Sequence, residues 1–195
     1  MASLLYSRFH LLLLHLLFFL FLRNSSSSSS SVSALGTTIT DPPSLVESVC
    51  TKSKDYTFCT KALNSDPRSP SAEVTDLARI SVELAEKNAT ETLGYIKQLL
   101  NGTNNNNNTD DNLKKALLLC ETEYENGVAS LQTALNNLET GSYDDVNVLA
   151  SLAYEAIQAC DKAFGEGKVH EPTLSPMNQN TMLLCDMSTV ISSVI

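Results

Sequence analysis

Eight apolar positions recur between Leu113 and Leu138 at a spacing that an α-helix brings onto one side. They follow one another at intervals of 4, 3, 4, 4, 3, 4 and 3 residues, which matches the 3.6-residue period of a helix. Such a stripe has to be buried against other elements of the fold. The segment therefore predicts one long amphipathic helix of a multi-helix domain. The eight residues are Leu113, Leu117, Cys120, Tyr124, Val128, Leu131, Leu135 and Leu138.

Other parts of the chain repeat this helical pattern. We find no alternating β pattern and no glycine-rich phosphate loop. The sequence therefore predicts an all-α fold, an up-down four-helix bundle with an N-terminal α-hairpin extension. The further helical segments are the stretch from Leu45 to Val49, then Tyr56 to Leu63, Val74 to Leu100, Asp144 to Phe164 and Met177 to Ile195.

Turn-forming residues predict where these helices begin and end. Ser69 or Ser71 is the predicted N-cap of the Val74 to Leu100 helix, with Pro70 in its first turn. The polar stretches "NGTNNNNNTDDN" and "GEGKVHEPTLSP" are predicted loops. The residues predicted to be buried by the Asp144 to Phe164 helix are Val146, Leu149, Ala153, Ala156, Cys160 and Phe164.

The N-terminus is typical of a secretory signal peptide. Arg8 precedes an apolar run from Leu11 to Leu22, and small residues follow up to Ala34. The run is shorter than the roughly 20 residues of a membrane-spanning helix, so we do not favour a transmembrane anchor. We predict a signal peptide over 1–34, with cleavage after Ala34, and one domain over 35–195.

The charge of the chain limits its partners. The formal net charge is −9, and it becomes −11 when Arg8 and Arg23 leave with the signal peptide. Like charges repel, so nucleic acid, anionic membranes and polyanionic polysaccharides are unfavourable partners. A basic protein surface fits better.

All five cysteines follow the signal peptide, and disulfides are their default state in an oxidising compartment. Their number is odd, so one is left over. No C-x-x-C pair exists, and His170 is the only histidine after the signal peptide. These features argue against a metal site and against thioredoxin-type redox chemistry. We predict neither a metal nor a cofactor.

Bundle geometry suggests a pairing for the cysteines. Cys120 and Cys160 each lie about 20 residues, or roughly 30 Å of helix, from the turn near Gly141, so antiparallel neighbours bring them to one level. Cys50 and Cys59 are then the nearest remaining pair along the chain, and Cys185 is the free thiol. Other pairings, such as Cys50–Cys120 with Cys59–Cys160, remain open from the spacing alone.

Several of these segments together resemble the plant invertase and pectin methylesterase inhibitor family. They are "CTKSKDYTFC", a leucine-rich helix after a "SDPRS" loop, "ALLLCETEYENGVASLQTAL" and "YDDVNVLASLAYEAIQACDKAF". The resemblance covers about Ser44 to Ile195 and is carried by the order and spacing of the cysteines. It implies a secreted four-helix bundle with an α-hairpin, and disulfides between the first and second and between the third and fourth cysteines.

The resemblance also implies a function. Members of the family are not enzymes; they bind one carbohydrate-active enzyme of the cell wall or vacuole and block its substrate cleft. One branch inhibits pectin methylesterase and the other inhibits invertase. Invertase inhibitors of the cell wall often carry a Pro-Lys-Phe trio in one loop, where this chain has Ser142, Tyr143 and Asp144 and no lysine. We therefore predict a secreted, apoplastic or vacuolar inhibitor of pectin methylesterase, with invertase as the alternative target.

The predicted contact residues form two groups. Ser142, Tyr143 and Asp144 lie in the loop before the Asp144 to Phe164 helix, and aromatic residues at such positions often dominate binding. Glu121 and Glu125 could attract a basic enzyme surface. An exposed turn and a solvated acidic face are the simpler interpretations of the two groups.

Three sequons permit N-glycans in a secreted chain, at Asn88, Asn101 and Asn107. Rival functions lack support. An enzyme would need a nucleophile with a base or a cofactor loop, and we find no small-molecule substrate site. Plant lipid-transfer proteins have more cysteines than this chain. A secreted structural or signalling bundle with no enzyme target stays open, because inhibitory contacts form no motif.

Overall fold

The computed structural model of the protein describes residues 43–104, 111–165 and 174–195. The predicted signal peptide over 1–34, the sequon at Asn107 and His170 lie outside the described residues. No residue of these three ranges is in a β-strand. The α-helices are α1 (Leu45–Cys50), α2 (Tyr56–Asn64), α3 (Val74–Asn104), α4 (Asp111–Thr140), α5 (Val146–Gly165) and α6 (Leu174–Ser192).

The four long helices α3 to α6 form an up-down bundle. Each helix packs on the next along the chain, and α6 packs back on α3, so the four enclose a common core. The predicted all-α bundle with an N-terminal hairpin is thus confirmed. Each large apolar side chain buried here stabilises the fold by about 1.5–3 kcal/mol. The largest buried apolar side chains include Leu77, Ile80, Ile96, Leu117, Leu131, Ile157, Leu174, Met187 and Ile191.

Helices α4 and α5 approach each other closely at Gly127. A Cβ atom at this position would lie 3.3 Å from Cδ1 of Ile157 and 3.7 Å from the carbonyl oxygen of Ala153, so only glycine leaves the neighbouring helix undisturbed. Two turns away on α4, Cys120 forms a disulfide with Cys160 of α5, with 4.6 Å between their Cα atoms. By chain entropy, a loop of 40 residues gives a stabilisation of about 4 kcal/mol.

The N-terminal hairpin consists of α1 and α2. Ser44 and Glu47 form a reciprocal capping box at the start of α1, and the Asp55 carboxylate accepts a hydrogen bond from the amide at the start of α2; both caps satisfy amides that a helix leaves without partners. Cys50 and Cys59 join the two helices in a disulfide. Both disulfides therefore have the pairing that the family resemblance implies.

Asp186 of α6 holds the hairpin on the bundle. Its carboxylate accepts hydrogen bonds from the backbone amide of Lys54 at 2.9 Å and from the hydroxyl of Ser53 at 3.1 Å. The Lys54 ammonium lies 3.6 Å from the same carboxylate and 4.0 Å from the centre of the Tyr154 ring on α5. The carboxylate thus links the hairpin turn to α6, and Lys54 adds a cation–π contact with α5.

The predicted N-cap of α3 is wrong. Ser69 lies in a short 3₁₀ turn, Ser69–Ser71, and its hydroxyl donates to the carbonyl of Leu63 at 2.6 Å. Helix α3 starts later, and its first intrahelical hydrogen bond ends on the carbonyl of Glu73. The serines and Pro70 instead close the turn between α2 and α3. A serine hydroxyl can donate to a carbonyl at the end of one helix just as it can accept from an amide at the start of the next.

Two helix boundaries and the buried stripe of α5 also differ from the prediction. Helix α3 continues through Asn101 to Asn104, although these residues were predicted as loop. Helix α6 begins at Leu174 instead of Met177, because a proline in the first turn, Pro176, removes no intrahelical hydrogen bond. In α5, Leu149 and Ala156 are only half-buried, while Ala150 and Ile157 are fully buried. The buried stripe is therefore rotated slightly from the predicted one.

Candidate partner-binding surface

The turn between α4 and α5 has a defined geometry. Gly141 has φ of 73°, a conformation that side chains disfavour, and the amide of Ser142 donates to the carbonyl of Asn137 at 2.8 Å. This is a Schellman motif, which satisfies the last carbonyls of α4. A 3₁₀ turn, Tyr143–Asp145, then leads into α5. The predicted contact residues Ser142, Tyr143 and Asp144 are all exposed at this turn.

Helix α5 adds an apolar pair next to the turn. Val148 and Leu152 lie one helical turn apart, and 51% and 48% of their surfaces are exposed. We group them with the exposed Tyr143 of the preceding 3₁₀ turn and call these three residues the α5 surface. Large apolar side chains grouped on one exposed face are typical of interaction sites. Asp144 and Asp145 of the turn and Glu155 of α5 are also exposed.

Sequence analysis missed Val148 and Leu152. Their i, i+4 spacing on the side of the helix opposite the core stripe was the available signal. That signal is weak in isolation, because single exposed leucines and valines are common on protein surfaces. Only the burial of the neighbouring positions shows that this pair faces solvent.

Glu121 and Glu125 do not belong to the α5 surface. They precede Gly141 by 20 and 16 residues on α4, which places them roughly 24–30 Å along the helix from the turn. Glu125 accepts a hydrogen bond from Lys97 of α3 at 2.8 Å, and this contact raises the pKa of Lys97. The carboxylate of Glu125 is thus already paired, so its contribution to attracting a distant partner is reduced.

Tyr124 belongs to the core and not to the surface. Its ring is fully buried, and its hydroxyl donates to the side-chain oxygen of Asn178 on α6 at 2.8 Å. The amide nitrogen of Asn178 donates to Asp161 on α5 at 3.3 Å. The hydroxyl of Thr181 donates to the side-chain oxygen of Asn88 on α3 at 2.7 Å. All four bundle helices therefore meet in one polar cluster, and burial raises the pKa of Tyr124 above its usual value.

Comparison with known protein families shows to which family the chain belongs. The model of the plant invertase/pectin methylesterase inhibitor family matches residues 44–192. The chain belongs to this family. A pectinesterase inhibitor of Actinidia deliciosa is 32% identical over 152 residues, which are 77% of this chain and 79% of that protein. The cell wall / vacuolar inhibitor of fructosidase 2 of Arabidopsis thaliana is 37% identical over 126 residues, 64% of this chain and 68% of that protein.

A solved structure of the inhibitor family has the same fold. It is a mutant form of a pectin methylesterase inhibitor from Arabidopsis, with a TM-score of 0.68 and 23% identity. The superposition covers 78% of this chain and 98% of that one. The family resemblance inferred from the cysteine pattern is thus confirmed. The protein is a member of an inhibitor family and not an enzyme, since the named relatives inhibit enzymes.

The remaining cysteine of this inhibitor-family chain is buried. Cys185 has no exposed surface, and burial, together with the adjacent charge of Asp186, raises the pKa of its thiol to about 12. A thiol in this state is not a reactive nucleophile. Within 43–104, 111–165 and 174–195 no group of three or more His, Cys, Asp or Glu residues could hold a metal ion. None of the helices in these ranges has the length and apolarity that crossing a bilayer requires.

Proposed function

We propose that the protein is a secreted inhibitor of pectin methylesterase that binds the enzyme 1:1 and blocks its substrate cleft. The match of the inhibitor family over residues 44–192 carries the general function. Two observations favour this target. The relative from Actinidia, named a pectinesterase inhibitor, aligns over most of both chains. The turn at Ser142, Tyr143 and Asp144 also lacks the lysine that the family resemblance associates with invertase inhibition.

Invertase is the second candidate target. The relative named as an inhibitor of fructosidase is 37% identical to this chain, although the alignment covers less of both proteins. A parallel assay separates the two targets. The purified domain is added to a pectin methylesterase and, separately, to a cell-wall invertase at mildly acidic pH. We expect loss of esterase activity only; loss of invertase activity alone would support the alternative, and no loss in either would leave a structural or signalling bundle.

The α5 surface is the proposed contact site. It consists of Tyr143, Val148 and Leu152, and the exposed acidic residues Asp144 and Asp145 follow Tyr143 in the chain. An aromatic and apolar centre with a polar rim is the usual anatomy of a binding site. The net charge, which is −11 once Arg8 and Arg23 leave with the signal peptide, further favours a basic enzyme surface around the substrate cleft. Apolar contact would then hold the complex together. The acidic residues would accelerate association at low salt, and association would be slower at high salt because the ions screen this attraction.

Alanine substitutions test this assignment. Removing a residue from the centre of an interface often costs 2 kcal/mol or more, which weakens binding about 30-fold. We expect losses of this order for Tyr143→Ala and Leu152→Ala. The matched controls Tyr56→Ala and Leu45→Ala change exposed residues on the hairpin instead and should inhibit like the parent. Equal inhibition by all four variants would remove the α5 surface from the proposal.

We propose secretion to the cell wall, with the vacuole as the alternative destination, because a relative carries both locations in its name. The predicted signal peptide over 1–34 provides the route. Expression of the full chain in plant cells followed by N-terminal sequencing of the secreted protein tests it. A mature N-terminus at Leu35 is expected, whereas retention of the uncleaved chain inside the cell would contradict this part of the proposal.

A further inference from the structure

The turn between α4 and α5 is short and has a buried side chain at each end. Leu138 is the last buried residue of α4, and Val146 is the first residue of α5 and is also buried. The residues between them, 139–145, are all exposed. They include Tyr143, the aromatic residue of the α5 surface. The placement of Tyr143 therefore depends on the hydrogen bonds and the backbone conformation of this segment.

Gly141 sets the direction in which the chain leaves α4. Its φ of 73° is the left-handed conformation, and no other residue in the described part of the chain has a positive φ. With Gly141 in this conformation, the amide of Ser142 donates to the carbonyl of Asn137 at 2.8 Å and closes the end of α4. A residue with a Cβ atom disfavours this conformation, because the Cβ comes too close to the following carbonyl oxygen. The course of the turn thus depends on the residue type at 141.

The backbone after Gly141 is bonded on the side of α5 as well. The amide of Val146 donates to the carbonyl of Tyr143 within the 3₁₀ turn. The hydroxyl groups of Thr140 and Ser142, the two neighbours of Gly141, lie 3.3 Å apart. The side chain of Tyr143, in contrast, is 37% exposed. The backbone of the turn is therefore held in place while the aromatic ring stays available for contact.

We propose that Gly141 is a positioning residue of the inhibitor, which holds Tyr143 in the binding conformation before the enzyme arrives. This inference rests on the proposed function and on the α5 surface as its contact site. Ordering a mobile loop or side chain during association reduces the affinity of a complex. A turn that already has the binding conformation avoids this loss. Gly141 acts through Tyr143 and makes no contact with the enzyme itself.

Substitutions at residue 141 test the proposal in the esterase assay. Gly141→Ala should weaken inhibition about 5- to 30-fold, which corresponds to the roughly 1–2 kcal/mol that the left-handed conformation costs a residue with a Cβ. Gly141→Asn should retain most of the inhibition, because asparagine adopts this conformation more readily than other residues with a side chain. The matched control is Gly94→Ala, which should inhibit like the parent. Gly94 is an exposed residue of α3, and a Cβ atom there would meet nothing within 4 Å.

A double variant shows whether Gly141 acts through Tyr143. In the Tyr143→Ala background, adding Gly141→Ala should weaken inhibition by less than about twofold, because the side chain that the turn positions is already missing. A full additional loss would overturn the proposal, and so would a Gly141→Ala variant that inhibits like the parent. Circular dichroism at the assay temperature confirms that each variant is folded.

The same assay separates this proposal from the proposed function. A parent protein that does not inhibit the enzyme would refute the function and this proposal with it. A parent that inhibits, and that loses inhibition with Tyr143→Ala but not with Gly141→Ala, would overturn the positioning role alone.

Backbone NMR relaxation of the free protein tests the order of the turn without the enzyme. The amide order parameters of residues 142–145 should be about 0.85 in the parent, the value of rigid backbone, and should fall toward about 0.6 in Gly141→Ala. Gly141→Asn should restore them. Order parameters that are as low in the parent as in the alanine variant would show that the turn is not ordered before binding, and would overturn the proposal.

Discussion

Replacing Tyr124 by phenylalanine removes a single oxygen atom from the centre of the bundle. The hydroxyl is fully buried and donates to the side-chain oxygen of Asn178 at 2.8 Å. The hydroxyl oxygen of Thr181 also lies near the Tyr124 hydroxyl, at 3.4 Å. Thr181 already donates its proton to the side-chain oxygen of Asn88 at 2.7 Å. In the variant the oxygen of Asn178 therefore loses its donor. The Cys160 sulfur lies 3.6 Å from this oxygen but cannot replace the lost donor, because a disulfide sulfur has no proton to donate.

The size of the effect follows from this geometry. Leaving one buried polar atom without its partner costs about 1–3 kcal/mol, so we expect the free energy of unfolding to fall by about 2 kcal/mol. For a domain of this length the corresponding decrease in Tm is roughly 4–8 °C. Chemical unfolding in urea, followed by circular dichroism with both disulfides intact, measures the change directly.

Two further variants make this test specific. Tyr56→Phe removes an equivalent hydroxyl from an exposed tyrosine of α2 and should change stability by less than about 0.5 kcal/mol. The double variant Tyr124→Phe/Asn178→Leu removes the orphaned oxygen of Asn178 but also takes a donor from the half-buried Asp161, so we expect it to recover only part of the loss. If Tyr124→Phe were as stable as Tyr56→Phe, the buried polar cluster would contribute no net stability and our reasoning would be refuted.

Three other outcomes follow from the structure. Asp186→Ala should leave the bundle folded but raise amide hydrogen exchange across 45–64, because the hairpin loses its anchor; unchanged exchange there would contradict this. Arg68→Ala should raise the pKa of Asp66 from about 2 toward its ordinary 3.8 in an NMR titration, because the guanidinium stabilises the carboxylate. Since the folded pKa is depressed, this pair stabilises the parent above pH 3.8 and loses its effect as the pH falls toward 2; a pKa still near 2 in the variant would oppose the assignment. Cys185 should resist alkylation at pH 8 in the native protein and react after denaturation in guanidinium chloride, as judged by mass; native labelling would show that the thiol is accessible.

The sequence predicts the architecture well because the bundle depends on repeated local patterns. The stripe from Leu113 to Leu138 lies within α4, and each segment with helical spacing corresponds to a helix. Helix ends were harder to predict, since they depend on local hydrogen bonds that several residues can supply. Ser69 has the chemistry of an N-cap, but its hydroxyl instead satisfies a carbonyl at the end of α2. Pro176 reads as a helix stop, yet it is tolerated in the first turn of α6.

The candidate binding surface was only partly predictable. The turn at Tyr143 was identified because a loop of the resembled family lies there. The exposure of Val148 and Leu152 was missed, because their i, i+4 spacing outside the buried stripe is only a weak signal of a binding surface. Glu125 was predicted as a partner contact from its charge alone, whereas its position along α4 places it far from the turn and Lys97 pairs with it. Contacts between residues distant in sequence leave no local signal.

The central claim is that the protein inhibits pectin methylesterase by occupying its substrate cleft in a 1:1 complex. A titration of a fixed enzyme concentration, well above the dissociation constant, tests it most directly. Esterase activity should fall linearly and reach its minimum at one equivalent of the inhibitor. In a second assay, with the enzyme concentration near or below the dissociation constant, raising the pectin concentration should weaken the inhibition. Full activity at several equivalents of disulfide-bonded protein would contradict the claim, and inhibition independent of pectin concentration would contradict the blocked cleft.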